Sequence, residues 1–107
     1  MPGQQDTAMI VITGSATIRA EGLDAALKLG IEHSARSRAE PGCLAHNCHI
    51  DAEDPNRIVF VEEWADMEAV TAHFALPESV AFVRALSILA HGPPTMSIYS
   101  VQRIPRG

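Results

Sequence analysis

The fold of this chain is decided between Glu40 and Pro77, where the sequence reads EPGCLAHNCHIDAEDPNRIVFVEEWADMEAVTAHFALP. Residues 43–51 and 57–64 predict two strands, because apolar side chains recur along both runs and turn residues bound them. The intervening residues 52–56 predict the turn, since proline fixes φ and the side chains of Asp and Asn can bond their own backbone. The stretch therefore predicts a β-hairpin.

Helical patterns follow the hairpin and also precede it. Asp66 is a good N-cap for a short helix that presents Met67, Val70 and Phe74, and Pro77 separates this helix from a second one. The apolar stripe of that second helix consists of Val80, Val83, Leu86 and Leu89. An earlier amphipathic helix over residues 22–38 carries Leu23, Ala26, Leu27, Gly30, Ile31 and Ser34 at helical spacing.

Two further strands complete the order of elements. Residues 8–19 (AMIVITGSATIR) are rich in β-branched side chains, and Gly14 within them suggests a bulge or a close backbone approach. Residues 95–104 form a last strand after a Gly-Pro-Pro turn. The order is βαββαβ, an α+β fold of the ferredoxin-like type, with both helical segments on one face of a four-stranded sheet. We expect one domain over residues 8–104, with flexible tails at 1–7 and 105–107.

Length and charge exclude several classes of function. A chain of 107 residues fits one domain that can bury a core without a disulfide or metal. Its net charge of -5, with basic residues scattered along the chain, argues against a nucleic-acid partner. There is no secretory signal pattern and no uninterrupted apolar run long enough to span a membrane, so we expect a cytoplasmic protein without a membrane partner.

Alternation along the third strand predicts self-association. Ile58, Phe60, Glu62 and Trp64 share one face of the strand, while Val59, Val61 and Glu63 share the other. Helices on one side of the sheet would leave the second apolar face in water, which a soluble monomer rarely tolerates. We expect a homodimer in which two sheets pack face to face, forming a dimeric α/β barrel.

The cysteines suggest no redox chemistry. Cys43 and Cys48 lie five residues apart on one predicted strand, so their side chains should point to opposite faces and be unable to bridge. Both are expected to be reduced and half-buried. A metal site is also disfavoured, because His46 and Cys48 share a face while His49 points away and no third ligand occurs at a recognisable spacing. A ligand set drawn from several elements stays open.

The Glu40–Pro77 stretch resembles the antibiotic biosynthesis monooxygenase domain, a family of small dimeric α/β-barrel proteins that includes quinol monooxygenases and anthrone oxygenases. The residues that carry the resemblance are Glu40-Pro41-Gly42-Cys43-Leu44, Asp54-Pro55, Phe60-Val61-Glu62-Glu63-Trp64, Asp66 and Ala72-His73-Phe74 ahead of Pro77. The likeness covers nearly the whole chain in element order.

The resemblance implies a monooxygenase that uses neither metal nor flavin and oxidises a quinol, anthrone or related polyphenol with O₂. A deprotonated, delocalised substrate can itself give an electron to O₂, so the protein has only to hold the aromatic ring in a dry pocket, take one proton and stabilise charge. Two other functions stay open: an isomerase of a small metabolite that works by proton transfer, and a non-catalytic dimeric module that binds an apolar ligand.

Two residues carry the predicted chemistry most directly. Trp64, the only tryptophan, is either a core or interface aromatic or a pocket wall whose N–H donates to a substrate oxygen. By resemblance this position lines the family's pocket. His73 lies at the edge of the apolar stripe of its helix, where it is either a surface residue at the negative helix end or a proton shuttle at the pocket mouth.

Three neighbours on the hairpin complete the candidate site. His46 is either a core histidine or a pocket residue, standing where many relatives carry an aromatic. Glu62 is either a base with a pKa raised by burial or a rim residue paired with a partner's Arg. Phe60 is expected to contact substrate, in a position where some oxygenase relatives have Asn. Arg84 lies nearly opposite the apolar stripe of its helix, which predicts exposure to solvent.

Overall fold

The computed structural model describes residues 8–106, and the predicted tail at residues 1–7 lies outside them. The strands are β1 (Ala8–Thr17), β2 (Cys43–Asp51), β3 (Asp54–Trp64) and β4 (Thr95–Gln102), and the helices are α1 (Leu23–Ser37), α2 (Met67–Ala75) and α3 (Pro77–Leu89). A short 3₁₀ turn over Ala20–Gly22 leads into α1. The order confirms the predicted α+β, ferredoxin-like βαββαβ fold.

The four strands form one antiparallel sheet in the order β2-β3-β1-β4. Ile12 at the centre of β1 pairs with Glu62 on β3 and with Ile98 on β4, and His46 on β2 pairs with the same Glu62. Because residues paired across antiparallel strands point to the same face, this register places His46 and Glu62 on the face that carries Trp64 and the helices.

The hairpin is tighter than predicted. β3 begins at Asp54, which pairs with Asp51, so the turn consists of residues 52 and 53 instead of 52–56. The backbone N–H of Glu53 donates to Asp51 Oδ1 at 2.8 Å and closes the turn. The terminal strands are shorter than predicted: β1 ends at Thr17 and β4 at Gln102.

The bulge lies in β2 and not at Gly14. Gly14 pairs in unbroken register with both neighbouring strands, whereas the register of β2 shifts between Cys43 and Ala45. One extra residue at a bulge reverses the alternation of faces beyond it. Leu44 therefore stays exposed, and the prediction that Cys43 and Cys48 face opposite ways is wrong: they pair with Trp64 and Phe60, which share a face. Both thiols are free.

The covered face of the sheet has two halves of different character. The aliphatic half consists of Ala16, Ile18, Ala26, Ile58, Phe60, Phe82, Leu86 and Ala90. In the other half, Ile10, Ile12, Trp64 and Val70 surround buried His and Glu side chains. We call this second region the polar half. It contains most of the candidate site.

The buried stripe of α1 differs from the predicted one. Ala26, Gly30, His33, Ser34 and Ser37 are buried, while Ile31 is exposed. A Cβ at Gly30 would lie 2.7 Å from Cys48 Sγ and 3.0 Å from Phe60 Cζ. The missing side chain therefore lets α1 approach the sheet closely, and the small residues, not the large apolar ones, form the contact face.

The helices α2 and α3 are also rotated relative to the prediction. On α2, Val70 and His73 are buried while Met67 and Phe74 are exposed. On α3, Ser79, Phe82 and Leu86 are buried, whereas Val80 and Val83 are exposed. The exposure of Arg84 is confirmed.

No single helix within residues 8–106 is long and apolar enough to cross a bilayer. The helices α2 and α3 reach the necessary length and apolarity only as a pair, and the pair is bent by 69°.

Candidate active site

Titratable side chains from four parts of the chain converge in the polar half. His33 comes from α1, His46 from β2, Glu62 from β3 and His73 from α2, and all four are at most 5% exposed. Glu40, from the turn between α1 and β2, contacts His73. Charged and ionisable groups are rarely buried without partners, so their hydrogen bonds define the chemistry of the site.

His73 is held in one orientation by Glu40. Its Nδ1–H donates to Glu40 Oε1 at 2.8 Å, which leaves the lone pair of the neutral ring on Nε2. The helix carrying His73 starts at Asp66, whose Oδ1 accepts from the N–H of Ala69 at 2.9 Å, as predicted for the N-cap. His73 lies on the buried face of this helix, not at its edge, because Val70 and His73 form the contact stripe.

Gly42 allows the turn that carries Glu40 to approach this helix. It has a φ of 81°, and a Cβ there would lie 2.6 Å from Cβ of Ala69. Only glycine tolerates both that left-handed backbone and the close contact. The Pro41-Gly42 pair thus positions Glu40 against α2.

His33 is the site residue that sequence reasoning missed. Its ring stacks on Phe82 with a centroid distance of 3.9 Å and an interplanar angle of 3°. The guanidinium of Arg36 donates to its Nδ1 at 2.9 Å, so the neutral ring carries its hydrogen on Nε2. The sequence holds a signal for His33, because Ala26, Gly30 and His33 recur at helical spacing and so share one helix face. The larger apolar side chain of Ile31 favoured a different face as the predicted buried one.

His46 lies deepest, with no measurable exposure. Its Nδ1 is hydrogen bonded to Ser34 Oγ at 2.8 Å. Its Nε2 has no hydrogen-bond partner, and the nearest acidic oxygen, Glu62 Oε1, is 3.5 Å away. An unpaired buried ring nitrogen is costly, and this atom is one of three buried side-chain atoms among the described residues that lack a partner, with Glu40 Oε2 and Ser79 Oγ.

Trp64 uses its polar atom inside the protein. Its Nε1–H donates to Glu62 Oε1 at 2.9 Å, and the indole is fully buried against His73 at a centroid distance of 4.7 Å. Glu62 therefore takes the hydrogen bond that Trp64 would give to a substrate oxygen if it were a pocket wall. No basic side chain of the described residues pairs with Glu62 other than His46.

Burial changes the protonation of the cluster. Desolvation lowers the pKa of His33 to about 3 and that of His46 to about 4, with repulsion from neighbouring cationic groups as a smaller cause. Desolvation also raises the pKa of Glu62, although the hydrogen bond from Trp64 acts against this. His33 and His46 are therefore neutral at pH 7, and Glu62 is a weaker acid than a carboxyl in water.

A cavity of about 270 Å³ opens beside this cluster. Its wall is mostly apolar, and its aromatic and aliphatic lining residues are Phe60, Phe74, Phe82, Val83, Leu86, Pro94 and Met96. Its polar lining residues are Ser15, His33, Glu62, His73, Ser79, Ser87 and Thr95. An apolar cavity with a few polar groups at one side is the usual form of a small-molecule site.

The structure divides the predicted site residues into two groups. Phe60, Glu62 and His73 line the cavity. His46 and Trp64 do not: they lie behind it and contact the lining residues through Glu62 and His73. The site therefore has an inner wall and a supporting layer, and strand parity alone could not separate the two.

The three histidines form the set of potential metal ligands that the sequence analysis left open. One ring nitrogen from each of His33, His46 and His73 lies within 4.8 Å of the other two. No two of these residues belong to the same element, which explains why no ligand spacing was recognisable along the chain.

Comparisons with known proteins agree with this architecture. A family model described as antibiotic biosynthesis monooxygenase matches residues 9–85. The crystal structure of an antibiotic biosynthesis monooxygenase is similar with a TM-score of 0.81 and 29% identity, over 91% of this chain and 100% of that one. Rv0793 from Mycobacterium tuberculosis shares the fold with a TM-score of 0.84 at 16% identity, over 92% of this chain and 99% of that one.

Two further similarities have narrower meaning. A candidate antibiotic biosynthesis monooxygenase from Deinococcus radiodurans has a TM-score of 0.87 at 23% identity, over 92% of this chain and 97% of that one, which shows the fold alone. The uncharacterized protein sll1783 of Synechocystis sp. (strain ATCC 27184 / PCC 6803 / Kazusa) is 27% identical over 92 residues. The match covers 86% of this chain but only 63% of that protein.

Proposed function

Because this chain belongs to the antibiotic biosynthesis monooxygenase family, we propose that it oxidises a quinol, anthrone or related polyphenol with O₂. The observation that carries the proposal is His73. It lines the cavity, is almost fully buried, and has its Nδ1 bound to Glu40. A histidine held in this way presents a basic lone pair on Nε2 and has a carboxylate ready to stabilise the imidazolium that forms.

His33 supplies the complementary group. Its Nδ1 accepts from Arg36, so its Nε2 carries a hydrogen and acts as a donor. Both rings line the cavity, with centroids 5.3 Å apart. His73 can thus take the phenolic proton while His33 donates to the resulting oxyanion, in a wall whose surface is mostly apolar.

The reaction balances without an added reductant. The substrate anion gives one electron to O₂, the radical pair combines to form a C–O bond, and the peroxide loses water. A quinol and O₂ then yield a hydroxyquinone and H₂O, and an anthrone CH₂ group and O₂ yield C=O and H₂O. All electrons come from the substrate, so the chemistry requires neither metal nor flavin. The cavity of about 270 Å³ favours a small ring system, since drug-sized pockets begin at roughly 300 Å³.

Oxygen uptake tests the proposal. Chelator-treated protein should consume O₂ with some member of a panel of naphthoquinols, benzoquinols and anthrones. His73→Ala should reduce turnover about 10²–10⁴-fold, the usual contribution of a general base. His91→Ala is the matched control, because this histidine is exposed and outside the cavity. No uptake across the panel, or equal turnover in both variants, would contradict the proposal.

An isomerase that works by proton transfer is the second candidate. Glu62 favours it, because this buried carboxyl has a raised pKa and lines the same cavity as His73, so that two groups could remove and return a proton. Exchange of substrate hydrogen with deuterated solvent, without O₂ consumption, would select this function. A ligand that binds without either reaction would instead select the non-catalytic module.

The proposal includes a homodimer that packs sheet against sheet. Tyr99 on the edge strand β4 is 50% exposed, and it lies on the face away from the helices because it pairs with Val11 and not with the buried Ile10 or Ile12. Val61 on β3 is 37% exposed on the face away from the helices. Apolar groups on an uncovered sheet favour a second copy as cover. Sedimentation at micromolar concentration should give twice the chain mass, and a monomer mass would contradict the dimer.

A further inference from the structure

We propose that His33, His46 and His73 form a binding site for a divalent transition-metal ion beside the cavity. The first observation is convergence. The three rings come from α1, β2 and α2, all are at most 5% exposed, and one nitrogen from each lies within 4.8 Å of the other two. Ligand nitrogens around a tetrahedral zinc ion are about 3.4 Å apart at bond lengths of about 2.0–2.1 Å, so small ring rotations bring them into range.

The second observation is which nitrogens are free. Nδ1 of His46 is hydrogen bonded to Ser34 at 2.8 Å, and Nδ1 of His33 to Arg36 at 2.9 Å. Nδ1 of His73 is hydrogen bonded to Glu40 at 2.8 Å. This leaves the three Nε2 atoms for a metal. The Glu40 carboxylate matches the usual outer layer of a metal site, in which a carboxylate, backbone carbonyl or water binds the second nitrogen of a ligating histidine and fixes the ring. The Ser34 hydroxyl oxygen can accept from His46 Nδ1–H in the same way.

The third observation is the unsatisfied nitrogen. His46 Nε2 is buried without any hydrogen-bond partner, and a fold does not usually retain such an atom without compensation. A cation would satisfy it. Imidazole ligands suit Zn²⁺, Co²⁺, Ni²⁺ and Cu²⁺ better than Mg²⁺ or Ca²⁺. Since His33 and His73 line the cavity, a fourth position would face it and accept water or an anionic oxygen of a small molecule.

Arg36 opposes the metal in the present arrangement. Its guanidinium donates to His33 Nδ1 and so keeps the hydrogen on the Nε2 that the ion requires. Metal binding needs this hydrogen bond to break and the ring to change tautomer. Arg36 is exposed at the surface, so the guanidinium can leave into water at small cost. The Arg36 hydrogen bond therefore competes with metal binding, and a variant without this guanidinium should bind the ion more tightly.

Metal binding does not rest on the proposed oxidation, because the ion would occupy the same His73 lone pair that acts there as the base. It is therefore measured without substrate. Chelator-treated protein should bind one Co²⁺ per chain, seen by the visible absorption of four-coordinate Co²⁺, and Zn²⁺ should displace it. Each of His33→Ala, His46→Ala and His73→Ala should weaken binding at least about 100-fold, since loss of an outer partner alone costs about 10–100-fold.

The arginine and two control variants make the result decisive. Arg36→Ala should tighten Co²⁺ binding about tenfold, because a competing charged hydrogen bond is removed. Arg84→Ala removes the same charge from another exposed position and should leave affinity unchanged, as should His91→Ala. Because Arg36 is on the surface, its variant tests the site even if a buried histidine variant fails to fold. Absence of binding at one ion per chain, binding that persists in the three histidine variants, or equal affinity in Arg36→Ala and Arg84→Ala would each overturn the proposal.

Discussion

The two halves of the covered sheet face are built from the same strands and differ in what they bury. The aliphatic half is built from apolar side chains such as Ile58, Phe82 and Leu86. The polar half places Glu62, His46 and His73 around Trp64. Apolar burial stabilises a fold directly, whereas burial of ionisable groups costs free energy unless partners compensate. The contrast indicates that one half mainly supports the fold and that the other is shaped by chemistry.

The largest expected effect lies in the aliphatic half. Ile58 is fully buried, so Ile58→Ala should lower the free energy of unfolding by about 2–5 kcal/mol, through lost burial and a residual cavity. Ile31→Ala is the matched control on α1, where the side chain is 59% exposed, and it should change stability by no more than about 0.5 kcal/mol. Denaturant titration of both variants measures this. Equal losses would mean that the contact face of α1 is wrongly placed.

Acid should weaken the polar half. His33 and His46 have pKa values near 3 and 4 in the fold and near 6.5 when unfolded. The unfolded chain therefore binds more protons below pH 6.5, so stability is full above that pH and falls as the pH drops toward 4. The loss between pH 7 and pH 5 should be about 2–4 kcal/mol. Glu62 acts in the opposite direction, because a raised pKa favours its protonation in the fold.

Urea titrations across this pH range measure the acid effect. His46→Leu removes one of the two buried bases and should make the dependence on pH about half as steep. His91→Leu, at an exposed position, should retain the full slope. A slope unchanged by His46→Leu would indicate that the histidine cluster does not control acid sensitivity.

A smaller effect is expected at the hydrogen bond between Glu40 and His73. Glu40→Gln should keep a hydrogen bond to His73 Nδ1 but remove the charge that stabilises the imidazolium. We expect kcat for the proposed oxidation to fall about 10–100-fold with KM little changed, part of the full contribution of general base catalysis. Glu68→Gln, on the exposed side of α2, is the control. Loss of stability with unchanged kcat would assign Glu40 to the fold alone.

The smallest effect concerns the hydrogen bond between Trp64 and Glu62. Trp64→Phe leaves the carboxylate without its donor and should lower the free energy of unfolding by about 1–2 kcal/mol. In a Glu62→Gln background the same change should cost measurably less, and a double-mutant cycle gives the difference. Turnover should fall through the altered position of Glu62. Strictly additive costs would show that this hydrogen bond does not couple the two residues.

Local sequence was sufficient for the fold. The turn predicted between the two hairpin strands, the Asp66 N-cap and the break at Pro77 each depend on a few residues, and they led to the element order that the structure confirms. The motifs between Glu40 and Pro77 indicated the antibiotic biosynthesis monooxygenase family, and the family model that matches residues 9–85 confirms it. Alternation on β3 correctly placed Phe60, Glu62 and Trp64 on one face, because no bulge interrupts that strand.

Tertiary packing decided the site. A single bulge at Leu44 changed which β2 side chains face the helices. The close approach of the sheet to Gly30 selected the small-residue side of α1 as the contact face, which buried His33 and exposed Ile31. Neither event has a reliable local signal, because each depends on which backbone lies opposite. The same is true of the Glu40–His73 hydrogen bond and the histidine cluster, whose members are distant in sequence. The sequence by itself determined the order of elements through short-range propensities, and only the assembled structure determined which side chains meet, because those contacts depend on three-dimensional packing.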